Sequence, residues 1–340
     1  MTIELTDTSF TELQRQAQQQ GEHIYQPVDL GIQYNLPKRL GEGFERLLKL
    51  RQGLTIYIGK GAFQQRFRYF CQHPSAFPLV SKFYLSGSSR VQTPGTSTID
   101  EDYWEVADQH YLYHLPDLVE VEEWPANQLI YVVMVCADAD YFTTFDTQNT
   151  GQSPLSAPLQ RLFDGDTSQC FHQSLGKMSP AVRRLVQQIV ACPYTGLMQQ
   201  LYLESKALEL IASQLTTWTD DNRSTERVSP NSQDVEQLYQ ARDILVQRVN
   251  NPPSLMELAR LVGLNDRKLK QGFRHLFGTT VFGYLCDYRM QQAQRLLHSP
   301  HITVAQVAAQ VGYRNPEAFS TAFRRKFAVG PKAYQLRQRG

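Results

Sequence analysis

Two stretches of the chain follow one pattern: LMELARLVGLNDRKLKQGFRHLF at residues 255–277 and VAQVAAQVGYRNPEAFSTAFRRKF at residues 304–327. Each begins with apolar residues at helical spacing, passes through a Gly and an Asn, and continues with a second apolar series. The Gly permits a left-handed turn, and the Asn can cap the helix that follows. The second copy carries one extra residue in its turn. The pattern predicts two helix-turn-helix motifs in tandem.

The second helix of each motif carries polar and basic side chains beside its apolar stripe. Arg and Gln can make bidentate contacts with guanine and adenine, and basic residues near a helix end suit phosphates. A small residue such as Ala lets a helix approach the bases closely. We therefore predict DNA contacts from Arg267, Lys268, Lys270, Gln271, Arg274, Arg314, Asn315, Glu317, Ala318, Ser320, Thr321, Arg324 and Arg325.

Charge divides the chain near the same place. Residues 235–340 hold 16 Lys and Arg against 6 Asp and Glu, net +10, whereas residues 1–234 hold 18 against 27, net −9. A basic surface can simply be solvated, but its coincidence with tandem motifs favours a polyanionic partner.

A helix predicted at residues 280–298 would hold the two recognition helices apart. Successive major grooves on one face of DNA lie about 34 Å apart.

The first half of the chain predicts mostly β-strands after a short helix at residues 10–20. Leu54, Ile56 and Ile58 alternate with Thr55 and Tyr57, as in a half-buried strand. Similar runs, separated by turns rich in Gly, Pro and Ser, occupy residues 67–71, 79–85, 111–115 and 129–136. Several short strands of this kind predict a sandwich or small barrel.

Two amphipathic helices follow the strands. The first is predicted at residues 180–190, where Ser179 can cap and Pro180 can start a helix, and the second at residues 197–215. This pair could form a dimer interface or cover the sandwich, and the pattern favours neither. The polar residues 216–234 show neither strand nor helix periodicity, which predicts a linker.

Residues 235–336 resemble the AraC/XylS family of bacterial transcription regulators, most closely in GYRNPEAFSTAFRRKFAVGPKAY at residues 312–334. Ala328 departs from the family pattern, which usually has Gly there. The resemblance implies promoter DNA and RNA polymerase as partners, and a cupin-like sensor for a small effector in the N-terminal half. It also implies base-reading roles for Arg267, Lys270, Gln271, Glu317, Ala318, Ser320 and Thr321.

A narrower resemblance links two further stretches to the pyochelin-type subgroup, whose members activate ferric-siderophore uptake genes. They are GLNDRKLKQGFRHLFGTTVFGYL at residues 263–285 and CPYTGLMQQLYLESKALELIASQL at residues 192–215. The resemblance implies a ligand-dependent activator of iron and siderophore uptake genes, with a ferric siderophore as the effector. The same architecture sensing another metabolite is the alternative.

The expected fold is multidomain α+β: a cupin-like β-sandwich with a helical hairpin, followed by an all-α double helix-turn-helix domain. The predicted domains are an effector-sensing domain at residues 1–175, a helical dimerisation or relay segment at 176–217, a linker at 218–234 and a DNA-binding domain at 235–340. A homodimer is expected if the hairpin is a dimer interface. The oligomeric state and the choice between activation and repression stay open.

Aromatic residues are dense in the β region. Aromatic walls suit a flat aromatic chelate, although ordinary core packing accounts for most such residues. Any iron would arrive already chelated, because no cluster supplies iron ligands. The candidate ligand contacts are Tyr57, Tyr69, Phe83, Trp104, Tyr111, Tyr113 and Trp124.

The sequence shows no catalytic or metal-binding pattern, so we predict no enzyme activity, metal or cofactor. The HxH pair of metal-binding cupins is missing, and His110 and His114 would lie about 13 Å apart on a strand. We expect these histidines at the surface or in hydrogen bonds. The acidic cluster of Asp100, Glu101, Asp102 and Glu105 predicts a solvated loop. A cupin-type metalloenzyme fused to a DNA-binding domain is the alternative from another class.

The chain is expected to be cytoplasmic, without a membrane partner. Its longest apolar run, residues 129–136, is far shorter than the about 20 residues that span a bilayer. The N-terminus lacks the basic and apolar regions of a signal peptide. The five cysteines are scattered and form no CxxC pair, which argues against a disulfide framework.

Overall fold

The computed structural model describes residues 2–51, 53–96, 98–142, 155–221, 232–277, 279–297 and 302–337. The chain divides into two compact units, Met1–Ser229 and Pro230–Gly340. Strands dominate the described part of the first unit, and helices make up the described part of the second.

The first unit begins with one strand and one helix and ends with two long helices. Its elements are β1 (Thr2–Thr6), α1 (Asp7–Gln19), β2 (Tyr25–Val28), β3 (Gly31–Asn35), β4 (Gly41–Arg51), β5 (Leu54–Phe63), β6 (Arg66–Gln72), β7 (Leu79–Ser86), β8 (Ser88–Gln92), β9 (Asp102–Val106), β10 (Gln109–His114), β11 (Val119–Trp124), β12 (Ile130–Ala137), α2 (Ala139–Phe142), α3 (Ala157–Phe163), β13 (Phe171–Lys177), α4 (Pro180–Val190) and α5 (Gly196–Asp221). The strands and helices predicted from periodicity are confirmed.

The strands form two sheets. The smaller has the order β1-β6-β11-β8-β9, and the larger has the order β13-β10-β7-β12-β5-β4-β3-β2. Strand β1 pairs with β6 in parallel, and the pairs within the larger sheet are antiparallel. Side chains of both sheets line one internal cavity, so the sheets face each other. This arrangement confirms the predicted β-sandwich.

Helices α4 and α5 cover the outer face of the larger sheet. Leu54, Ile56 and Ile58 share a buried core with Val186 of α4 and Ile211 of α5. At about 25 cal/mol per Å² of buried apolar area, this contact is a major stabilising term for the unit. Covering the sandwich was one of the two roles considered for the hairpin.

Helix α5 extends beyond the 197–215 segment predicted from sequence. Its Trp218 is buried, and the ring lies 5.0 Å from that of Phe171 between centroids. The apolar contact with the sandwich explains why the helix continues to Asp221, which corrects the start of the predicted linker. The following helix begins at Ser232, and residues 222–231 of that linker lie outside the described residues.

The described part of the second unit contains two helix-turn-helix pairs. Its helices are α6 (Ser232–Gln247), α7 (Leu255–Leu261), α8 (Asp266–Phe277), α9 (Val281–Leu296), α10 (Val304–Gln310), α11 (Pro316–Phe327) and α12 (Pro331–Arg337). Helices α7 and α8 form the first motif, and α10 and α11 form the second. Helix α9 packs against α8, α10 and α11, and so joins the two motifs within one unit.

The two turns have the local structure predicted for them. Gly263 and Gly312 adopt φ angles of 72° and 83°, in the left-handed region that glycine adopts without strain. The Asn265 side-chain oxygen accepts a hydrogen bond from the backbone N–H of Lys268 at 2.8 Å, and Asn315 Oδ1 accepts one from Glu317 N–H at 2.8 Å. Each motif therefore follows from residues that are close in sequence.

Ala328 ends helix α11 in the left-handed conformation, with φ 57°. A non-glycine residue in this region brings its Cβ close to the backbone. The position where the chain departs from the family pattern is therefore one where Gly would be unstrained.

Candidate DNA interface and ligand cavity

The residues predicted to read DNA from the first motif lie on the exposed side of α8. Its buried side carries Leu269 and Phe273. The exposed residues are Arg267, Lys268, Lys270, Gln271 and Arg274. Periodicity alone separates these two sides, because the apolar residues recur every three or four positions.

Ion pairs divide this exposed set into two groups. Lys268 Nζ lies 2.7 Å from a carboxylate oxygen of Asp234, and Lys270 Nζ lies 2.7 Å from Asp266. Among the described residues, no hydrogen bond or ion pair engages the side chains of Arg267, Gln271 and Arg274, which follow one another at helical spacing. These three side chains are therefore the ones available to a partner.

The second motif presents a similar face on α11, opposite the buried Phe319 and Phe323. Ser320 is half-buried and donates a hydrogen bond to the Pro316 carbonyl, and the Asn315 side chain caps the helix. The exposed members of the predicted set are Arg314, Asn315, Glu317, Ala318, Thr321, Arg324 and Arg325. The structure thus places small and polar residues early on the helix and basic residues in its last turn.

A cavity of about 500 Å³ lies within the sandwich of the first unit. Its walls come from α1 and from strands of both sheets. A cavity of this size is typical of a small-molecule site. The lining residues are Phe10, Gln14, Tyr34, Asn35, Leu36, Gly43, Phe44, Glu45, Gly59, Lys60, Gly61, Phe63, Phe67, Tyr69, Cys71, Lys82, Tyr84, Tyr113, Glu120, Glu122, Trp124, Ile130, Val132 and Met134.

Aromatic rings pack together along one wall of this cavity. The ring of Phe67 stacks on Phe63 at 4.6 Å and on Trp124 at 5.5 Å between centroids. Phe10 of α1 meets Tyr69 edge to face at 5.6 Å, and the Tyr69 hydroxyl donates a hydrogen bond to Asp7. Helix α1 is therefore attached to the wall by both an aromatic contact and a hydrogen bond.

Three of the seven predicted ligand contacts line the cavity, namely Tyr69, Tyr113 and Trp124. The other four predicted contacts lie outside the cavity lining: Tyr57, Phe83, Trp104 and Tyr111. Phe83 is fully buried in the core beneath α4 and α5, because successive residues of β7 face opposite sides. Trp104 directly precedes Glu105 on β9. Because successive side chains of a strand point to opposite faces and Glu105 faces inward, the side chain of Trp104 faces outward.

The two remaining aromatic residues are occupied elsewhere in the sandwich. The hydroxyl of the buried Tyr111 accepts a hydrogen bond from the backbone N–H of Val106 at 2.8 Å. Tyr57 pairs with Met134 on the neighbouring strand and is half-buried outside the cavity lining.

A buried polar network, which the sequence analysis did not identify, joins the two sheets beside the cavity. Lys82 Nζ lies 2.5 Å from Glu105 Oε2 and 3.0 Å from Glu122 Oε1. The hydroxyls of Tyr84 and Ser89 donate to the same Glu122 oxygen at 3.0 and 2.6 Å. The signal in the sequence is a Lys within the otherwise largely apolar strand LVSKFYLS, because a buried Lys requires a partner.

Glu105 corrects the prediction of a solvated acidic loop, because its side chain is only 2% exposed. Burial raises the pKa of this carboxyl, but the charge of Lys82 outweighs that effect, and the pKa lies below its usual range. Burial lowers the pKa of Lys82, but Glu105 and Glu122 outweigh it and raise that pKa well above its usual range. The pair is thus ionised in the interior.

Glu120 lines the cavity beside this network. Burial, and next the negative charge of Glu122, raise the pKa of Glu120 to about 8. Burial, with Glu122 contributing next, also raises the pKa of Glu45 across the cavity, although this residue is exposed in the folded chain. The carboxyl groups of Glu120 and Glu45 therefore lie at the cavity wall with raised pKa values.

His110 and His114 lie on β10, as predicted, and both are hydrogen-bonded. His110 Nδ1 lies 3.2 Å from Gln214 Nε2 of α5, and His114 Nδ1 contacts the Gln169 carbonyl. The described residues contain no group of three or more His, Cys, Asp or Glu side chains arranged to hold a metal ion. Within the same residues, no helix has the length and apolar character needed to cross a membrane.

The family model "Helix-turn-helix domain" matches residues 258–337, which contain most of the two motifs described above. With the exposed faces of α8 and α11, this match defines the chain as a DNA-binding transcription regulator of the AraC class.

A second family model, "Regulatory protein PchR N-terminal domain", matches residues 41–230, more than half of the chain. The chain therefore belongs to the family of PchR-type regulatory proteins.

The curated relatives are also regulatory proteins. Regulatory protein PchR of Pseudomonas aeruginosa is 44% identical over 117 residues, covering 34% of this chain and 40% of that protein. The HTH-type transcriptional regulator AlkR of Acinetobacter baylyi is 32% identical over 84 residues, covering 25% of this chain and 28% of that protein. Each alignment thus spans less than half of the relative's length.

Solved structures with detectable similarity include ToxT of Vibrio cholerae with a bound unsaturated fatty acid. It is 11% identical, covers 85% of this chain and 96% of that chain, and has a TM-score of 0.35. The DNA-binding domain of AdpA in complex with a target DNA is 29% identical, covers 30% of this chain and 93% of that chain, and has a TM-score of 0.29. These TM-scores are too low to support an argument about this chain.

Proposed function

We propose that this regulator is a ligand-dependent activator of iron and siderophore uptake genes, with a ferric siderophore as its effector. The aromatic-walled cavity of about 500 Å³ in the first unit carries the proposal. Phe63 and Trp124 stack on the buried Phe67, and this stack gives the cavity an aromatic wall suited to a flat aromatic chelate. The likeness of residues 192–215 and 263–285 to the pyochelin-type subgroup supports an iron chelate over other aromatic metabolites.

The effector must favour one state of the protein, because a ligand with equal affinity for two states shifts nothing. A ligand in the cavity would contact α1, because this helix supplies Phe10 and Gln14 to the cavity wall. We propose that the bound state has higher promoter affinity or makes activating contacts with RNA polymerase. The same architecture with a different small metabolite is the second candidate.

The test is a titration of the full chain with ferric and iron-free forms of several phenolate chelators, followed by tryptophan fluorescence. Trp124 lines the cavity, whereas Trp104 and Trp218 do not. We expect quenching by the ferric form that persists in Trp104→Phe and is lost in Trp124→Phe. Equal or absent binding of both forms across chelator classes would indicate a different effector.

We also propose a homodimer formed through the start of α5. Leu197, Met198 and Leu201 are 65%, 62% and 53% exposed and are close together on the helix. A second copy of this chain would cover them. Sedimentation should show a dimer for the natural chain and a monomer for Leu197→Glu/Leu201→Glu, whereas Leu129→Glu, at another exposed apolar residue, should stay dimeric.

A further inference from the structure

The cationic side chains of the cavity lining are already engaged. Among the described lining residues these are Lys60 and Lys82. The Lys60 ammonium lies 5.1 Å from the ring centroid of Tyr131, a residue outside the lining, and Lys82 is paired with Glu105 and Glu122. Lys82 is therefore compensated by carboxylates, whereas Lys60 is an exposed residue that contacts an aromatic ring.

The acidic side chains of the lining are not matched in the same way. Glu45 on β4 and Glu120 on β11 receive no hydrogen bond from a described residue, and the nearest basic atom to Glu120 is His73 Nε2 at 3.9 Å. Glu122 already compensates Lys82 together with Glu105. Two carboxyl groups are thus available at the wall of the aromatic cavity.

Aromatic faces and carboxylates attract the same kind of ligand. The ring quadrupole favours a cation over its face, and a carboxylate favours a cation more strongly where water is excluded. We propose that the cavity binds a ligand with a net positive charge on or beside an aromatic framework, held by Glu45 and Glu120 and by the wall of Phe63, Phe67 and Trp124.

The electrostatics of the cavity wall support this assignment. Burial, and next the negative charge of Glu122, raise the pKa of Glu120 to about 8 and also raise that of Glu45. An incoming positive charge would stabilise both carboxylates and lower both pKa values. Binding would then be accompanied by the release of protons near neutral pH.

This inference rests on the proposed function in one respect: it explains how a ferric effector is distinguished from its iron-free form. Iron(III) brings three positive charges and displaces one proton from each phenol that ligates it, so a chelate with one or two phenol ligands is more positive than the free chelator. A cavity that favours positive charge would accept the metal complex and reject the free chelator. Selection by charge is independent of the shape of any particular chelator.

The test uses the full chain and three naphthyl probes that differ in charge. They are the 1-naphthylmethyl-trimethylammonium cation, the 1-naphthylmethanesulfonate anion and neutral 1-naphthalenemethanol. Calorimetric titration at pH 8.5 should show the cation binding at least about tenfold more tightly than the anion, because one unit charge changes sign beside two carboxylates. Glu45→Gln/Glu120→Gln should reduce the preference to about twofold or less.

Glu209→Gln is the matched control, because this glutamate is 56% exposed on α5 and, among the described residues, pairs with Lys206 alone. It should keep the full preference, and each single variant, Glu45→Gln or Glu120→Gln, should lower it in part. Equal or tighter binding of the anion by the natural chain, no binding of any probe, or a preference that survives in the double variant would overturn the proposal.

A separate titration with a ferric phenolate chelate distinguishes this inference from the proposed function. Preference for the cationic probe without binding of the ferric chelate would retain the cation site and remove the proposed effector. Binding of the ferric chelate without preference among the naphthyl probes would retain the effector and remove the cation site.

Discussion

Arg267 and Gln271 lie one helical turn apart on the exposed face of α8, whereas Arg324 lies in the last turn of α11. Side chains in the first half of a recognition helix can reach base edges, and basic side chains near its end can meet phosphates. Position on the helix therefore predicts two different kinds of contribution to DNA binding.

Arg267→Ala and Gln271→Ala should relax sequence preference at particular base pairs, by about 1 to 3 kcal/mol for a lost bidentate contact. Arg324→Ala should weaken binding to all sequences equally and lower the salt slope by about one. Affinities for a promoter and for single-base variants, measured at several salt concentrations, check both. A uniform loss in Arg267→Ala would place that residue among the phosphate contacts.

The raised pKa of the single residue Glu120 predicts that the stability of the protein depends on pH. Its pKa is about 8 in the folded protein, above the ordinary value of 4.5, so the folded state keeps a proton that the unfolded chain loses. The contribution of Glu120 to the free energy of unfolding is fully present below about pH 4.5 and is lost as pH rises toward 8. The titratable groups that face it are Cys71, His73, Lys82, Tyr103, Glu105, Tyr113 and Glu122.

Glu120→Gln should remove this loss, because the amide cannot ionise. Burial lowers the pKa of His73, which acts in the opposite sense below pH 6.5, so the clearest range is about pH 6.5 to 8. Calorimetry of the natural chain and the variant should show Tm values that diverge as pH rises. Parallel curves for the two proteins, with Glu209→Gln as control, would contradict the prediction.

At the scale of elements, the end of α11 carries backbone strain. Ala328 has φ 57°, and this region costs a non-glycine residue about 1 to 2 kcal/mol. Ala328→Gly should relieve the strain and stabilise the helical unit by up to about 1 kcal/mol, after the entropy that glycine adds to the unfolded chain. Calorimetry of the full chain measures the change in Tm.

Ala318→Gly is the matched control for that substitution. Ala318 is exposed within α11, where glycine lowers stability by about 0.5 to 1 kcal/mol. Opposite shifts in Tm are expected from the two changes. A loss of stability in both variants would show that the left-handed conformation at Ala328 costs less than the added chain entropy.

At the scale of the whole molecule, the two units carry opposite charge. Residues 235–340 have a net charge of +10, and residues 1–234 have −9. The fragment Pro230–Gly340 should bind DNA by itself, with affinity that falls steeply as salt increases, because bound Lys and Arg release counterions from phosphates. Gel-shift titrations at about 50 to 200 mM salt check the slope.

The acidic fragment Met1–Ser229 is the control and should not bind DNA under the same conditions. Circular dichroism establishes that both fragments are folded. A helical Pro230–Gly340 fragment without salt-dependent DNA binding would contradict the assignment of α8 and α11 as the interface.

The amino-acid sequence by itself determined the helical half of this protein. Gly263, Asn265, Gly312 and Asn315 act on neighbours within a few residues, and the apolar spacing of each helix separates its buried side from its exposed side. The turns, the helix caps and the exposed faces of the helices are determined by residues close in sequence. The faces that carry the predicted interface residues can therefore be identified without knowledge of the tertiary fold.

Only the tertiary structure decided which β residues line the cavity. Both faces of the larger sheet are buried, the outer one beneath α4 and α5 and the inner one toward the cavity, so alternation marks two faces without telling them apart. Phe83 and Lys82 are adjacent in sequence yet face opposite sides. The network of Lys82, Glu105 and Glu122 joins three strands of two sheets, and pairing across such distances in sequence depends on how the sheets pack.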